Sequence, residues 1–215
     1  MKLTRHIHAC VTIEHGGTTI VIDPGTLTPN ALDLLREADA VLVTHDHFDH
    51  FDADAVRTAL EERPELHVYG TQAVVDALTE SGGADQMTAV TDDTEFAVGS
   101  IEVRAFAGLH GVIHPELNVH QNVTYLVDGT VLHPGDSYSA PGAPVDTLLL
   151  PTSGPWTVTA RAIDFVRAVA PRQSIPIHDA MLSDLGRMGA DRMLGERGLT
   201  GVPLLPLQPG ESVEL

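Results

Sequence analysis

The chain has 215 residues, of which 43% are hydrophobic, and its 30 acidic side chains against 12 basic ones give a formal net charge of −18. This composition predicts a globular protein with one sizeable core and excludes an intrinsically disordered chain. Lys2 is the only lysine and the sequence has no basic stripe, which argues against binding to nucleic acid or to an anionic membrane. No apolar run approaches the about 20 residues of a membrane helix, and the N-terminus lacks a signal-peptide pattern, so we expect a soluble, cytoplasmic protein.

The first half of the chain predicts a strand-rich opening followed by alternating strands and helices. Gly16-Gly17 marks a hairpin turn between two β-branched runs, and Asp23-Pro24-Gly25 ends the second run. The apolar run 40–44 is continuous, as expected for a strand that is buried on both faces. In chain order the predicted elements are strands 2–8, 10–14 and 18–22, helix 31–37, strand 40–44, helix 53–62, strand 66–69 and helix 71–78.

The second half predicts a longer series of strands with two further helices. A hairpin crosses Asp128-Gly129, and Pro171 ends the first of the two helices. In chain order the predicted elements are strands 87–90, 95–98, 101–107, 122–127, 131–133 and 145–150, helix 158–169, strand 174–177, helix 181–194 and a C-terminal edge strand. Strands interspersed with helices in this way predict an α/β fold of mixed sheets covered by helices, in one domain over residues 1–215.

A cluster of potential metal ligands follows the buried strand 40–44. His45, His47, Asp49 and His50 fall within six residues of sequence. Imidazole and carboxylate groups suit zinc and similar divalent ions. In a tight loop, residues two apart can reach one ion while the neighbouring Asp-His pair turns to a second. The alternative is a solvent-exposed polar loop, but four ligand-type residues at this spacing favour a metal site.

This spacing carries a resemblance to a known family that covers nearly the whole chain. His45-x-His47-x-Asp49-His50 resembles the signature of the metallo-β-lactamase superfamily. Two upstream and two downstream segments are similar to other motifs of that superfamily, and the upstream pair points to its L-ascorbate-6-phosphate-lactonase-like branch. These segments are His8-Ala9-Cys10, Val21-Ile22-Asp23-Pro24, Gly135-Asp136-Ser137 and Pro176-Ile177-His178. The resemblance implies an αββα sandwich, in which helices cover two central mixed sheets.

The resemblance also implies a site for two divalent metal ions, with zinc favoured and Mn²⁺ or Fe²⁺ as alternatives. The residues it assigns to the first ion are His45, His47 and His110. The residues it assigns to the second ion are Asp49, His50 and His178, and Asp136 would bridge both. His114 and His120 lie in the same loop as His110 and compete for its role. His110 is favoured because it lies at the end of the strand 101–107, where a ligand is held more firmly than in the middle of a loop.

Six further residues are expected to orient the ligands or to line a substrate pocket. They are His8, Asp23, His114, His133, Tyr138 and Trp156. Hydrogen bonds from such residues commonly orient metal ligands. Simpler interpretations are a turn residue for Asp23, structural roles for His8 and His133, and a packed loop for Trp156. Asp46, between two proposed ligands, is expected to face away from the metals.

The implied activity is metal-dependent hydrolysis of a small-molecule ester, lactone or phosphoester by a hydroxide that two metals activate. Asp49 and Asp136 would be its catalytic carboxylates. The alternatives are a nuclease or phosphodiesterase, which the acidic composition disfavours, and a non-catalytic or redox metal-binding protein. Diiron oxygen-reducing relatives carry a glutamate where this chain has His47, and the thioesterase-like branch differs around Gly108-Leu109-His110-Gly111. We therefore expect a small-molecule substrate and no nucleic-acid or membrane partner, and the sequence carries no signal for an oligomeric state.

Overall fold

The structure is a computed structural model that describes residues 1–79 and 83–215. Within those residues it contains thirteen strands, five α-helices and a short 3-10 helix, Ala84–Gln86. The strands are β1 (Lys2–Arg5), β2 (Val11–His15), β3 (Thr18–Ile22), β4 (Ala40–Leu42), β5 (His67–Gly70), β6 (Met87–Ala89), β7 (Thr94–Val98), β8 (Ile101–Leu109), β9 (Gln121–Val127), β10 (Val131–His133), β11 (Thr147–Pro151), β12 (Gln173–Ile177) and β13 (Ser212–Glu214). The helices are α1 (Ala31–Glu37), α2 (Ala53–Glu62), α3 (Gln72–Thr79), α4 (Thr159–Val169) and α5 (Asp184–Leu194).

The strands form two mixed sheets. The first has the order β13-β1-β2-β3-β4-β5-β6 and the second β12-β11-β10-β9-β8-β7. The antiparallel parts are the meander β1-β2-β3, with β13 added beside β1, and the meander β7-β8-β9-β10. The parallel parts are β3 to β6 and β10 to β12. Helices provide the crossovers between parallel strands, except that a loop connects β10 to β11.

Three apolar layers establish the predicted αββα order. The central layer joins side chains of both sheets, including Ile13, Leu42, Tyr125 and Leu149. A second layer packs the outer face of the first sheet against α1, α2 and α3, and a third packs the second sheet against α4 and α5. Because β4 is covered on both faces, its continuous apolar sequence is accounted for. The predicted fold class is confirmed.

The sheet directions bring the ends of several strands to one edge of the sandwich. In the first sheet, β1, β3 and β4 run in the same direction. In the second sheet, β8, β10, β11 and β12 share a direction. The segments that follow these strands contain the residues singled out in the sequence. In chain order they are His8, Asp23, His45 to His50, His110, Asp136 and His178.

Three predicted bounds were wrong in ways that matter for this edge. The strand predicted over 2–8 ends at Arg5, because His6 to Cys10 form a turn in which His8 has φ +64°. The strand predicted over 101–107 continues to Leu109, so His110 follows it directly. The helix predicted over 181–194 begins at Asp184, where Ser183 caps it by accepting from the Gly186 N–H at 3.2 Å.

In residues 1–79 and 83–215, no helix is both long enough and apolar enough to cross a membrane.

Candidate metal centre

Three overlapping groups of potential ligands occupy the strand-end edge. In each group, one ligand atom per residue lies within 4.8 Å of the others. The groups are His45, His47 and His110; His8, Asp49, His50 and His178; and His45, His50 and Asp136. All seven residues predicted as ligands are therefore brought together, although they are spread over positions 45 to 178 of the sequence.

Asp136 lies between the first two groups. Its Oδ1 is 3.2 Å from Nε2 of His50, and its Oδ2 is 3.2 Å from Nε2 of His110. The same Oδ2 is 3.1 Å from Nε2 of His178. Asp136 is 3% exposed, so this carboxylate faces three imidazoles with little solvent between them.

Asp23 orients the ring of His50. The Asp23 side chain is fully buried, and its Oδ2 accepts from Nδ1–H of His50 at 2.7 Å. The backbone N–H and the hydroxyl of Thr44 also donate to this carboxylate, each at 2.7 Å. Because Nδ1 of His50 donates to Asp23, its Nε2 is the nitrogen that faces Asp136 and the cluster and that could bind a cation.

His45 and His110 are oriented in the same sense by neutral oxygens. The hydroxyl oxygen of Thr44 lies 3.0 Å from Nδ1 of His45, and since that hydroxyl donates to Asp23, it accepts from His45. Nδ1–H of His110 donates to the Gly111 carbonyl at 2.6 Å. In both residues Nε2 is left free to face the cluster, and Nε2 of His45 lies 3.1 Å from Nδ1 of His47.

His8 is placed to hold Asp49. Its Nε2 lies 3.0 Å from Oδ2 of Asp49, and its Nδ1 accepts from the Ala180 N–H at 3.4 Å. A neutral ring that accepts at Nδ1 carries its proton on Nε2. His8 therefore donates to Asp49, which suits a residue that orients the carboxylate better than one that binds a metal itself.

Trp156 is bonded to the central carboxylate. Its indole N–H donates to Oδ2 of Asp136 at 2.7 Å, and the ring is buried. Gly111 packs on the ring so closely that a β-carbon there would lie 2.3 Å from it. The ring of Tyr138 lies 4.7 Å from that of Trp156, and its hydroxyl donates to the Pro151 carbonyl at 2.8 Å.

The remaining predicted residues differ in how close they come to the cluster. His133 is buried behind it, with Nε2 2.9 Å from the Ala9 carbonyl and 3.8 Å from Asp23. His114 is exposed, and its Nδ1 accepts from the Glu116 N–H at 3.2 Å. The structure thus places His110, and not His114, among the potential ligands.

Two residues near the cluster differ from the sequence analysis, which gave Thr44 no role and considered His120 only as an alternative to His110. Thr44 links Asp23 to His45, and its position directly before the ligand loop was the available signal. His120 stacks edge-on against His47, with ring centroids 4.4 Å apart, and its Nδ1 lies 3.0 Å from Oδ1 of Asp46. Asp46 therefore faces away from the proposed ligands and toward His120.

The acidic groups of the cluster are held ionised. Burial opposes ionisation of Asp136, but the adjacent His50, His110 and His178 keep its pKa well below its usual range. Burial likewise opposes ionisation of Asp49, yet His178 and His8 lower its pKa. Burial alone would lower the pKa of His178, but the two carboxylates raise it to about 9. Two ionised carboxylates with little solvent around them are stabilised by nearby positive charge, which imidazolium groups or bound cations can supply.

The donor set fits divalent metal ions. Within the described chain, buried Nε2 atoms of His50, His110 and His178 and the buried Oδ1 of Asp136 have no aligned hydrogen-bond partner. Leaving such atoms unpaired is costly, and their convergence on one region suggests a cation that would bind them. Nitrogen and carboxylate oxygen donors of this kind suit zinc and other transition metals.

Comparison with known proteins identifies a family. The model of the "Beta-lactamase superfamily domain" family matches residues 2–178. Protein Rv0786c of Mycobacterium tuberculosis is 35% identical over 211 residues, which cover 96% of this chain and 97% of that protein. A UPF0173 protein of Pyrococcus furiosus is 30% identical over 223 residues, covering 100% of both. A UPF0173 metal-dependent hydrolase of Staphylococcus carnosus is 28% identical over 236 residues, covering 100% of this chain and 99% of its own.

Solved structures share the fold at lower identity. Igni18, a metallo hydrolase of Ignicoccus hospitalis, superposes with a TM-score of 0.72 at 20% identity and covers 99% of this chain and 97% of that one. CmlA, a diiron β-hydroxylase of Streptomyces venezuelae, gives a TM-score of 0.74 at 19% identity, covering 100% of this chain and 54% of that one. These similarities show that the fold is shared. One of the two proteins is named as a hydrolase and the other as a hydroxylase.

The four-layer fold and its edge cluster of histidine and aspartate define a protein of the metallo-β-lactamase type. The chain belongs to the metallo-β-lactamase superfamily and, within it, to the UPF0173 family of metal-dependent hydrolases. The predicted enzyme class is confirmed.

Proposed function

We propose that this hydrolase uses two divalent ions to cleave an ester, lactone or phosphoester bond in a small molecule. The observation that carries the proposal is the position of Asp136, whose two oxygens face histidines of two separate ligand groups. A carboxylate in that position can bridge two cations and hold them at a fixed separation. The finer resemblance to a lactonase-like branch makes lactones the first substrates to test.

The proposed ligand assignment follows the two groups. His45, His47 and His110 would hold one ion, and zinc is the favoured metal because histidine dominates its ligand set. Asp49, His50 and His178 would hold the other ion, and Asp136 would bind both. His8, although it lies within ligand distance of the second group, would serve Asp49 as a hydrogen-bond donor.

The residues of the chain would divide the chemical work as follows. Bound cations of this type supply an activated water as the nucleophile and positive charge for the oxyanion that develops. Asp49 is half-buried while His8 fixes one of its oxygens, so it would orient the attacking water. Asp23 and Thr44 would hold His50 and His45 in the tautomers that leave Nε2 free. Trp156 would fix the orientation of Asp136.

The test joins metal content to turnover. Protein stripped with a chelator and reloaded with zinc, manganese or iron(II) should bind up to two ions per chain by elemental analysis. Each form is then assayed against lactones, carboxylic esters, thioesters and phosphodiesters. Hydrolysis that disappears on stripping and returns on reloading is expected. A chain that takes up no ion at saturating concentration would reject the proposal.

A nuclease of the same fold is the rival that charge argues against. The formal net charge is −18 and the sequence has no run of lysine and arginine to neutralise phosphates. Such contacts supply most nonspecific affinity for nucleic acid. We expect no binding to DNA or RNA in a fluorescence-anisotropy titration at physiological salt. Metal-dependent cleavage of structured RNA at low enzyme concentration would reverse this assignment.

A further inference from the structure

Large apolar side chains are exposed on the loops that carry the metal centre. Phe48, inside the ligand loop, is 66% exposed, and Leu109, next to His110, is 61% exposed. The segment between β8 and β9 adds four more exposed apolar side chains: Val112, Ile113, Leu117 and Val119. Six exposed apolar side chains on segments beside a candidate site, five of them within residues 109–119, mark a place where ligands or partners can bind.

Two depressions flank this segment and meet at His110 and Gly111. The smaller, of about 240 Å³, has aliphatic walls that include Ile113 and Leu117. The larger, of about 480 Å³, has aromatic walls formed by Tyr138, Trp156 and Phe165. A volume of several hundred Å³ with apolar and aromatic walls is typical of a small-molecule site.

Trp156 connects the larger depression to the metal centre. One edge of its indole donates to Asp136 at 2.7 Å, while the ring also lines the depression. The rings of Tyr138 and Phe165 continue this wall, with centroids 5.4 Å apart. A group bound against these rings would lie directly beside the proposed bridging carboxylate.

The charge of this depression does not favour an anionic group. Of the described residues that line it, Arg161 is the one with a permanent positive charge, and it is exposed. Asp164 lies on the same helix three residues later and lines the same depression. Sites that recognise phosphate usually present several cations or a bidentate arginine. The depression therefore suits an uncharged apolar group.

A second cavity, of about 380 Å³, reaches His8 but lacks this character. Its deepest charged group is Arg5, which is 3% exposed. The guanidinium of Arg5 is already bonded to the Asp179 carboxylate and to the carbonyls of Pro176 and Leu207. The guanidinium of that cavity is therefore already paired within the protein.

We propose that the depression bounded by Tyr138, Trp156 and Phe165 binds the aryl or alkyl group of an uncharged carboxylic ester or lactone. The inference rests on the proposed hydrolytic function and names its substrate class. Among candidate substrates it ranks esters with a bulky apolar group above short-chain esters and above phosphodiesters. The apolar group would lie on the aromatic wall while the ester carbonyl reaches the metal centre.

The test separates binding from turnover by using a ketone, which resembles an ester but cannot be hydrolysed. Binding of 4-phenyl-2-butanone and of 2-butanone is measured by the fluorescence of Trp156, the only tryptophan, on metal-free and zinc-loaded protein. The phenyl ketone is expected to bind at least about 10-fold more tightly in both forms, since even one methylene in an apolar pocket discriminates by about 10–200-fold.

A filling variant locates the binding site. Ala168 lines the depression from α4 and is exposed, so Ala168→Phe should lower affinity for the phenyl ketone at least about 10-fold without preventing folding. Ala160→Phe adds the same ring on the same helix at an exposed position outside the lining, and should leave affinity unchanged. Thermal melting and zinc content of both variants establish that they fold.

The outcomes are distinct. Equal affinity for the two ketones, or full affinity in Ala168→Phe, would overturn the pocket assignment whatever the enzyme hydrolyses. Faster turnover of bis(4-nitrophenyl) phosphate than of ethyl 4-phenylbutyrate would overturn the substrate class. Tight binding of the phenyl ketone, together with no hydrolysis of any ester, lactone or phosphodiester, would reject the proposed function instead.

Discussion

The two groups of histidine and aspartate at this centre are supported differently. His50 is held by the buried carboxylate of Asp23 at 2.7 Å, whereas His110 is held by a backbone carbonyl and His45 by a hydroxyl. His178, like His50, is almost completely buried, but His47 is half-buried and borders an open depression. A charged hydrogen-bond partner makes an imidazole more basic than a neutral one does.

This difference suggests a division of work between the two proposed metal positions. The position at Asp49, His50 and His178, which we call the inner position, has the charged support of Asp23, so we expect it to bind an ion more tightly. The position at His45, His47 and His110, which we call the outer position, borders both apolar depressions, so we expect it to be nearer the substrate. Four substitutions test whether the two positions differ in this way.

Asp136→Ala should have the largest effect, since this residue is shared by both groups. Two cations that lose the carboxylate between them repel each other strongly, even at an effective dielectric constant of about 20. We expect one ion per chain instead of two and at least about a 100-fold loss of kcat/KM. Elemental analysis and steady-state kinetics measure both. Asp92→Ala, at an exposed loop position, is the control, and full activity in Asp136→Ala would contradict a two-metal mechanism.

His110→Ala should empty the outer position and leave the inner one filled. The variant removes an Nε2 that points at Asp136 from 3.2 Å, whereas His114→Ala removes an exposed ring outside the cluster. Zinc titration should therefore show one ion per chain in His110→Ala and the same occupancy as the original protein in His114→Ala. The reverse result would show that the loop between β8 and β9 presents a different histidine.

Asp23→Asn should weaken the inner position specifically. The Asp23 carboxylate accepts three hydrogen bonds, from His50 and from the N–H and hydroxyl of Thr44. An amide offers only one oxygen, so either orientation sets its NH₂ group against another donor. We expect a loss of about 10- to 100-fold in zinc affinity at one site, the range usual for such partners. Competition with a chromophoric chelator measures it, and equal weakening of both sites would remove the proposed distinction.

The fold was predictable because its signals are local or repetitive. The continuous apolar sequence of β4, the hairpin at Gly16-Gly17 and the crossover helices all follow from period and turn chemistry. The predicted end of β1 was wrong because it depends on a backbone conformation that the sequence does not specify. His8 leaves the predicted strand by adopting φ +64°, which a histidine rarely does without tertiary contacts to hold it.

The candidate site was predictable where its residues are close in sequence. His45 to His50 form a compact motif, and the resemblance located Asp136 and His178. The hydrogen bonds that select each tautomer were not predictable. Thr44 acts through a side-chain hydroxyl and Gly111 through its backbone carbonyl, and groups this common in a sequence do not mark a site. The aromatic wall was only partly predicted. Tyr138 and Trp156 were proposed as pocket residues. Phe165 was not, because the apolar pattern of α4 indicates that Phe165 is buried but not that it lines a depression.

Asp46→Ala should have the smallest effect, although Asp46 lies between two proposed ligands. Its carboxylate bonds His120 at 3.0 Å, and the two side chains are 28% and 40% exposed. Exposed pairs of this kind contribute about 0–1 kcal/mol, since solvent screens them. His120 packs against His47, so losing the pair can loosen the outer position slightly but removes no ligand. We expect both ions to be retained and kcat/KM to change by less than about 3-fold. A loss larger than that of Asp136→Ala would mean that the chemistry runs through Asp46 and His120, and that the ionised carboxylate between the two histidine groups has only a structural part.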